Sequence, residues 1–235
     1  MAAGDHGPSM RATAIIPVKR FGRAKQRLLD ALDRPQRAAV VKAMLADVLA
    51  AVDSVAAIER VIVVTGEGRA ERIAVAHARR SATPLEVLQD PDDAGHSKAA
   101  TLGIIRALHH GAESVALLPG DCPLLDAGEL DAALARMTPG RVAVVPDRHG
   151  TGTNALLLRP ADAIGPAFGE GSAERHRDRA ERAGHEVAIE AIASLALDLD
   201  TPEDLAALAA ALAGRPERAP ATATELARLD LGAGG

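Results

Sequence analysis

Aromatic residues are nearly absent from this chain of 235 residues, which has no Trp, no Tyr and only two Phe, Phe21 and Phe168. Proteins that bind single-stranded nucleic acid usually stack the bases on aromatic side chains, so this class is disfavoured. The net charge of −5 also disfavours a surface that follows a phosphate backbone. We therefore expect no nucleic-acid partner for this protein.

Cysteine and long apolar runs are scarce as well. The single cysteine, Cys122, excludes a disulfide within the chain and suits a reducing compartment. No stretch approaches the roughly 20 apolar residues of a membrane span, and the N-terminal MAAGDHGPSMR has no apolar signal core. These absences predict a cytoplasmic protein with no membrane partner.

The chain instead shows a regular alternation of apolar stretches with strand character and stretches of helical periodicity. Such alternation predicts an α/β fold with a mostly parallel sheet and helices on both of its faces. The predicted strands cover residues 13–18, 60–66, 84–90, 114–121, 141–147, 154–160, 186–192 and 195–200, and the predicted helices cover residues 35–52, 69–80, 96–111, 127–137, 172–184 and 201–214.

The two ends of the chain differ in composition from the alternating part. Residues 1–11 and 215–235 are rich in Ala, Gly and Pro and have little capacity to form a core, so we expect both to be disordered. Residues 12–214 are numerous enough to bury a sizeable core, and we predict that they form a single domain.

The segment LLPGDCPLL places a carboxylate, Asp121, where an apolar strand stops. Ligands of open parallel sheets bind outside the carboxyl ends of the strands, so this position favours a functional role. A turn residue, or a cap for the helix predicted from residue 127, is the structural alternative.

Two more carboxylates, Asp198 and Asp200, end a predicted strand in the segment LDLDTPEDL. Alternate residues of a strand point to the same side, so both carboxylates would face one way. Neighbouring carboxylates are costly unless a cation or hydrogen bonds compensate them. Together with Asp121 they would form a hard oxygen site suited to Mg²⁺. In the structural alternative, Asp200 belongs to a capping arrangement with Thr201.

The first predicted strand runs into a basic loop, PVKRFGRAKQRL, in a chain that is acidic as a whole. Several cations at a strand end suit a polyphosphate, because they offset its charge. The alternative is a solvated surface loop. The cations of this loop are Lys19, Arg20, Arg23, Lys25 and Arg27.

Two glycine-containing segments offer hydrogen-bond donors to an anion. GTGTN allows close approach of the backbone and carries the side chains of Thr153 and Asn154. FGEGSAERH places Gly169, Gly171 and Ser172 at a predicted helix N-terminus, where backbone amides and the helix dipole attract phosphate or carboxylate groups. A hairpin turn and an ordinary helix cap are the structural alternatives.

The chain resembles the guanylyltransferases of coenzyme F420 biosynthesis, which act on phosphoenolpyruvate or 2-phospho-L-lactate, across about residues 12–213. These enzymes are related to the nucleotidyltransferases of molybdenum-cofactor and sugar-phosphate metabolism. The resemblance therefore implies a Rossmann-like nucleotidyltransferase fold, GTP as donor, Mg²⁺ as metal and pyrophosphate as leaving group. It rests on five ordered segments: PVKRFGRAKQRL, LLPGDCPLL, GTGTNALLL, FGEGSAERH and LDLDTPEDL.

The resemblance also implies a role for each matching position. Asp121 becomes a catalytic residue and a metal ligand, and Asp198 and Asp200 complete the metal set. The acceptor-binding residues that it implies are Thr153, Asn154, Gly169 and Ser172.

The nucleotide side of the site is implied in the same way. Lys19, Arg23 and Lys25 would hold the GTP phosphates, and Lys25 would also stabilise the departing pyrophosphate as a catalytic residue. Many relatives have Leu-Asn-x-Ala in the base-binding region, where this chain has HSK (96–98). Ser97 is therefore a predicted nucleotide-binding residue, and selectivity for guanine stays open.

Several functions remain open from the sequence. The first is transfer of GMP from GTP to phosphoenolpyruvate. The Arg-rich, Lys-poor composition is typical of high-GC bacteria, and for these the family resemblance implies phosphoenolpyruvate. The alternatives are the same reaction on 2-phospho-L-lactate, another nucleotidyltransferase acting on a sugar phosphate or molybdopterin, and a non-enzymatic nucleotide-binding domain. The partners implied are GTP and a small phosphorylated carboxylic acid, and a homodimer is compatible with the sequence.

Overall fold

The structure is a computed structural model that describes residues 10–21, 28, 31–90, 92 and 95–229. Most of the predicted N-terminal tail and residues 230–235 lie outside the described residues. The described part forms seven strands and seven α-helices. The strands are β1 (Ala12–Val18), β2 (Ile58–Thr65), β3 (Leu85–Gln89), β4 (Val115–Leu117), β5 (Arg141–Pro146), β6 (Thr153–Arg159) and β7 (Glu186–Ile189). The helices are α1 (Arg34–Asp53), α2 (Gly68–Ala78), α3 (His96–His109), α4 (Ala127–Ala135), α5 (Ser172–Arg182), α6 (Pro202–Ala213) and α7 (Pro220–Arg228).

The strands form one sheet in the order β3-β2-β1-β4-β6-β5-β7. All neighbouring pairs are parallel except those of β6, which runs antiparallel to β4 and to β5. Adjacent residues of β1 face opposite sides, since Ile16 packs in the cluster that contains α1 and α6 and Ile15 in the cluster that contains α3. The prediction of a mostly parallel sheet with helices on both faces is confirmed.

The order of the strands creates a crevice at the carboxyl ends of β1 and β4. From β1 the chain proceeds through β2 to β3 on one side, and β4 then adds to the other side of β1. Open sheets bind ligands at such a reversal of strand order. Because β6 is antiparallel to β4, with Leu117 opposite Leu156, the first residues of β6 lie at this same edge.

Helix α3 packs directly on the sheet beneath the crevice. A Cβ atom added at Gly103 would lie 2.3 Å from Ile15 Cγ2, so only glycine permits this approach without displacement. The tight contact holds the N-terminus of α3 at the edge of the sheet where β1 ends. Among the described residues, no helix combines the length and the apolar character needed to cross a membrane.

Two of the predicted strands require correction. The strand predicted at 114–121 ends at Leu117, because only Leu118 N–H continues the pairing to β1 and Pro119 has no N–H to donate. The strand predicted at 195–200 is absent: Ala193–Leu195 form a short 3₁₀-helix, and the residues that follow have no regular structure. The backbone of this segment bonds to side chains instead of a neighbouring strand.

The prediction that residues 215–235 are disordered is wrong for residues 216–229, which form a 3₁₀ turn and helix α7. Helix α7 has no side-chain cap of its own. The buried carboxylate of Asp47 in α1 provides one, because it accepts hydrogen bonds from the backbone N–H groups of Ala221 (3.1 Å) and Thr222 (2.7 Å). Leu226 is buried in the same contact. A cap supplied by a distant helix cannot be recognised from local composition.

We expect Asp47→Ala to release α7 from the domain. The substitution leaves two helix N–H groups without their charged acceptor, and hydrogen bonds to charged groups contribute about 1.5–3 kcal/mol. Hydrogen exchange should show lost protection in α7, and the free energy of unfolding should fall by a similar amount. Asp47→Asn keeps one acceptor oxygen, so its free energy of unfolding should fall less than that of Asp47→Ala. Unchanged exchange of α7 in the Ala variant would contradict the capping role.

Candidate active site

A cavity of about 300 Å³ lies at the crevice between β1 and β4. Its walls come from the end of β1, the N-terminus of α3, the loop after β4, the start of β6, the segment before α5 and the segment before α6. The residues that line it are Lys19, His96, Ser97, Pro119, Asp121, Thr153, Asn154, Phe168, Gly169 and Asp198.

The structure brings most of the predicted site residues to this one cavity. They come from six separate segments of the chain, so their meeting is a property of the tertiary structure. The predicted residues that line the cavity are Lys19, Ser97, Asp121, Thr153, Asn154, Gly169 and Asp198. Arg23 and Lys25, predicted to hold GTP phosphates, lie outside the described residues.

Lys19 is exposed at the mouth of the cavity, directly after β1. The backbone on either side of it is anchored. The Thr65 hydroxyl donates to the carbonyl of Val18 (2.9 Å), and the Phe21 N–H donates to the carboxylate of Glu67 (3.1 Å). Lys19 therefore extends from a short stretch of backbone that is supported on both sides, and it lines the same cavity as Asp121 and Asp198.

Asp121 and Asp198 line the same cavity, Asp121 from the loop after β4 and Asp198 from the segment before α6. One backbone carbonyl group links these two segments. The backbone carbonyl of Leu195 accepts hydrogen bonds from the side-chain amide of Asn154 (2.6 Å) and from the thiol of Cys122 (3.7 Å). This carbonyl joins the loop of Asp121, the start of β6 and the turn that precedes Asp198. Asn154 was expected to donate to an anion, but one of its N–H groups is used in this contact.

Asp204 organises the end of the segment that contains Asp198 and Asp200. Its carboxylate accepts from the backbone N–H groups of Asp200 (3.0 Å) and Thr201 (2.7 Å), and it forms an ion pair with Arg148 (2.5 Å). Arg148 belongs to the loop between β5 and β6. These contacts explain why no strand forms here, since the backbone N–H groups bond to a side chain.

The predicted set of three carboxylates is not assembled in the part of the chain that the structure describes. Asp200 is exposed and is not among the residues that line the cavity. The described residues contain no group of three or more His, Cys, Asp or Glu side chains placed to hold a metal ion. The shared direction of Asp198 and Asp200 was argued from a strand that does not exist. Their roles as metal ligands, like that of Asp121, stay predictions.

Ser172 is not among the residues that line the cavity, and its role in binding the acceptor stays a prediction. It is the first residue of α5 and is fully buried, and its hydroxyl has no hydrogen-bond partner among the described residues. It provides no side-chain cap for α5, whose N-cap residue is Gly171 at φ +65°. Gly169 (φ +116°) does line the cavity, so this segment reaches the site through its backbone.

A cluster of three rings beside the cavity was not predicted from the sequence. His96 packs edge-to-face against Phe168 (ring centroids 4.7 Å apart), and Phe168 packs against His176 (5.2 Å). The Phe168 N–H also donates to the Ser97 hydroxyl oxygen (2.9 Å), which links the start of α3 to the segment before α5. One signal was present in the sequence: His176 follows Ser172 by one helical turn.

His176 is fully buried, and both of its ring nitrogens are engaged. Nδ1 lies 3.0 Å from Thr153 Oγ1, and Nε2 accepts the backbone N–H of Ala167 at 2.8 Å. Burial, and secondarily the charges of Arg179 and Arg175, lowers the pKa of His176 to about 4. The ring is therefore neutral at physiological pH.

Comparison with known proteins agrees with this architecture. The chain matches the model of a family described as guanylyl transferase CofC like over residues 12–218. A phosphoenolpyruvate guanylyltransferase of Conexibacter woesei is 45% identical over 208 residues, which are 88% of this chain and 91% of that protein. A 3-phospho-D-glycerate guanylyltransferase of Phenylobacterium zucineum is 38% identical, covering 87% of this chain and 92% of that protein.

A solved structure also has this fold. It is described as a nucleotide-diphospho-sugar transferase from Desulfovibrio desulfuricans G20, and it superimposes with a TM-score of 0.70 over 94% of this chain and 96% of that chain. At 18% sequence identity this likeness bears on the fold alone. The expected Rossmann-like nucleotidyltransferase fold is confirmed.

Proposed function

The chain belongs to the family of CofC-like guanylyl transferases and is a nucleotidyltransferase, and from this premise we propose that it transfers GMP from GTP to phosphoenolpyruvate. The products are enolpyruvyl-diphospho-guanosine and pyrophosphate. The observation that carries the proposal is a single cavity with a lysine, two carboxylates and a threonine hydroxyl, formed by Lys19, Asp121, Asp198 and Thr153. We assign the product to coenzyme F420 biosynthesis and the enzyme to the cytoplasm.

The proposed reaction joins two anions. An oxygen of the acceptor phosphate forms a bond to the α-phosphorus of GTP, and the bond from that phosphorus to the bridging oxygen of the β-phosphate breaks. The electron pair leaves with pyrophosphate. The acceptor phosphate is already ionised at neutral pH, so no general base is needed. Lys19 lines the cavity and offsets part of the phosphate charge.

The residues present are compatible with Mg²⁺. Mg²⁺ is commonly bound through one or two carboxylates together with substrate phosphates and water, and Asp121 and Asp198 line one cavity. When bound, Mg²⁺ would neutralise phosphate charge in the transition state. Asp200 is not among the residues that line the cavity, and we propose it as a third ligand from the family resemblance alone. Equal losses of activity in Asp200→Asn and Asp198→Asn would support that role.

The acceptor is proposed from the relatives and from the chemistry of the cavity. Phosphoenolpyruvate, 2-phospho-L-lactate and 3-phospho-D-glycerate all combine a phosphate with a carboxylate. The relative of Conexibacter woesei is named for the first and that of Phenylobacterium zucineum for the third. The chain is more similar in sequence to the relative of Conexibacter woesei, which supports phosphoenolpyruvate as the acceptor. A donor such as Thr153 beside the backbone of Gly169 suits any of these anions.

The nucleotide is proposed to be GTP, with its phosphates near Lys19 and its base toward the start of α3. Ser97 lines the cavity there, and its hydroxyl oxygen accepts from Phe168 N–H. The hydroxyl hydrogen is therefore available to donate to a nucleotide. Arg23 and Lys25 stay predicted phosphate ligands from the family resemblance, with Lys25 proposed to stabilise the leaving pyrophosphate.

A product assay tests the proposal. The purified protein, with Mg²⁺ and GTP, ATP or CTP, is offered each of the three acids, and the products are identified by mass spectrometry. We expect enolpyruvyl-diphospho-guanosine from GTP and phosphoenolpyruvate, with stoichiometric pyrophosphate. Asp121→Asn, purified in parallel, controls for contaminating enzymes. A product from 3-phospho-D-glycerate alone would transfer the assignment to that acid, and absence of any nucleotidyl product would contradict the proposed function.

A further inference from the structure

We infer that His176 is a positioning residue that turns the hydroxyl hydrogen of Thr153 toward the cavity, so that Thr153 donates to an anionic oxygen of the acceptor. This inference rests on the proposed function for the identity of the acceptor. The position of the imidazole proton follows from the structure alone.

The contact with Ala167 fixes the tautomer of His176. The backbone N–H of Ala167 points to Nε2 at 2.8 Å, and a backbone N–H can only donate. Nε2 must therefore be the unprotonated nitrogen that accepts. In a neutral imidazole the proton then lies on Nδ1.

The surroundings of His176 exclude a doubly protonated ring. His176 is fully buried in α5, whose neighbouring side chains Arg175 and Arg179 are cationic. Burial and these charges lower the pKa of His176 to about 4. A second proton would also set two donors, Nε2–H and Ala167 N–H, against each other. Both arguments give the same tautomer at neutral pH.

This tautomer of His176 determines the direction of the hydrogen bond to Thr153. Nδ1 lies 3.0 Å from Thr153 Oγ1, so the protonated Nδ1 donates and the hydroxyl oxygen accepts. The hydroxyl keeps one hydrogen of its own, which cannot point back along the same line. His176 is its only hydrogen-bond partner among the described residues. Since Thr153 lines the cavity with Asp121 and Gly169, the hydrogen is available to a ligand there.

The consequence is a chemical preference at the acceptor site. A hydroxyl held as a donor favours phosphate or carboxylate oxygen and disfavours a ligand group that can only donate. His176 also holds the segment before Gly169, through Ala167 N–H and the ring contact with Phe168. A test must therefore separate the proton position from support of this segment.

The proton position is measured first, by nitrogen NMR of the histidine side chains, with His176 assigned by comparison to His176→Gln. We expect a protonated Nδ1 and an unprotonated Nε2 at neutral pH in the ligand-free protein. A proton on Nε2, or on both nitrogens, would overturn the inference. This measurement needs no turnover, so it stands whether or not the proposed function holds.

Equilibrium binding of phosphoenolpyruvate then tests the effect on Thr153. Loss of one hydrogen bond to a charged group predicts roughly ten- to a hundredfold weaker binding for Thr153→Val. His176→Gln, whose amide reaches the position of Nε2, should weaken binding in the same direction. The variant with both substitutions should bind phosphoenolpyruvate about as tightly as the single variant that has the lower affinity. The two losses should not add, because the two residues act through one hydroxyl. The affinity for GTP should be the same in all these variants as in the wild-type protein.

Two conservative variants complete the design. His176→Asn keeps a donor near the position of Nδ1 and should bind phosphoenolpyruvate more tightly than His176→Gln. Thr153→Ser keeps the hydroxyl and should bind more tightly than Thr153→Val. Additive losses in the double variant, or equal losses in the Asn and Gln variants, would overturn the inference. Failure of the wild-type protein to bind any of the three acids would instead contradict the proposed function.

Discussion

Asp121→Asn should lower kcat/KM for GMP transfer by about 100- to 1,000-fold while the protein stays folded. Losses of that size are typical when one preorganised electrostatic group of an active site is removed. Asn preserves the shape of the side chain but removes the charge that would hold Mg²⁺ against two anionic substrates. Asp121 is half-buried in a loop that is also anchored by the fully buried Cys122, so the substitution should not disturb packing.

Steady-state kinetics at saturating Mg²⁺, with thermal denaturation of the same preparations, checks this prediction. Asp162→Asn is the matched control, because Asp162 is exposed and is not among the residues that line the cavity. Its activity should equal that of the wild-type protein. Turnover by Asp121→Asn near the wild-type rate would show that Asp121 is not a metal ligand.

The second large effect is a loss of stability in mild acid that depends on His176. The pKa of His176 is lowered to about 4 in the folded protein, against about 6.5 for an ordinary histidine. The unfolded chain therefore binds the proton more readily than the folded protein does. The stability that the neutral ring contributes is complete above about pH 6.5 and is lost as the pH falls toward about 4. At pH 5 the expected loss is about 2 kcal/mol.

Chemical denaturation of the wild-type protein and of His176→Gln at pH 7.5 and pH 5 measures the stability that the neutral ring contributes. Carboxylates contribute equally to both proteins, so the comparison isolates the imidazole. The stability difference between wild type and variant should shrink by about 2 kcal/mol on going to pH 5. Parallel pH profiles for the two proteins would mean that His176 titrates normally.

The residues that line the cavity were predictable to the extent that they follow local patterns. Alternating strand and helix periodicity predicted the parallel sheet, because each pattern is complete within about ten residues. A carboxylate after an apolar strand indicated Asp121, and the ordered motifs indicated Lys19, Thr153 and Gly169. Ser97 was predicted from its place in the base-binding region that the family resemblance implies. All five line one cavity.

Other features depend on contacts between residues far apart in the chain, which no local pattern contains. The antiparallel direction of β6 brings Thr153 beside the loop of Asp121. The segment that follows Leu195 is irregular where a strand was predicted, and the Leu195 carbonyl accepts a hydrogen bond from the side chain of Asn154. Helix α7 forms where composition predicted disorder, because Asp47 caps it from another helix.

Ser172 and His176 of α5 also combine a feature that the local sequence predicts with one that depends on the tertiary structure. Their spacing places both on one face of a helix, and that much is local. Whether this face meets solvent, a ligand or the protein interior depends on what packs against α5. The tertiary structure buries both side chains and sets His176 between Ala167 and Thr153. A hydroxyl predicted to bind substrate is thus buried, and a histidine with no predicted role supports the site, because burial depends on partners that the local sequence does not specify.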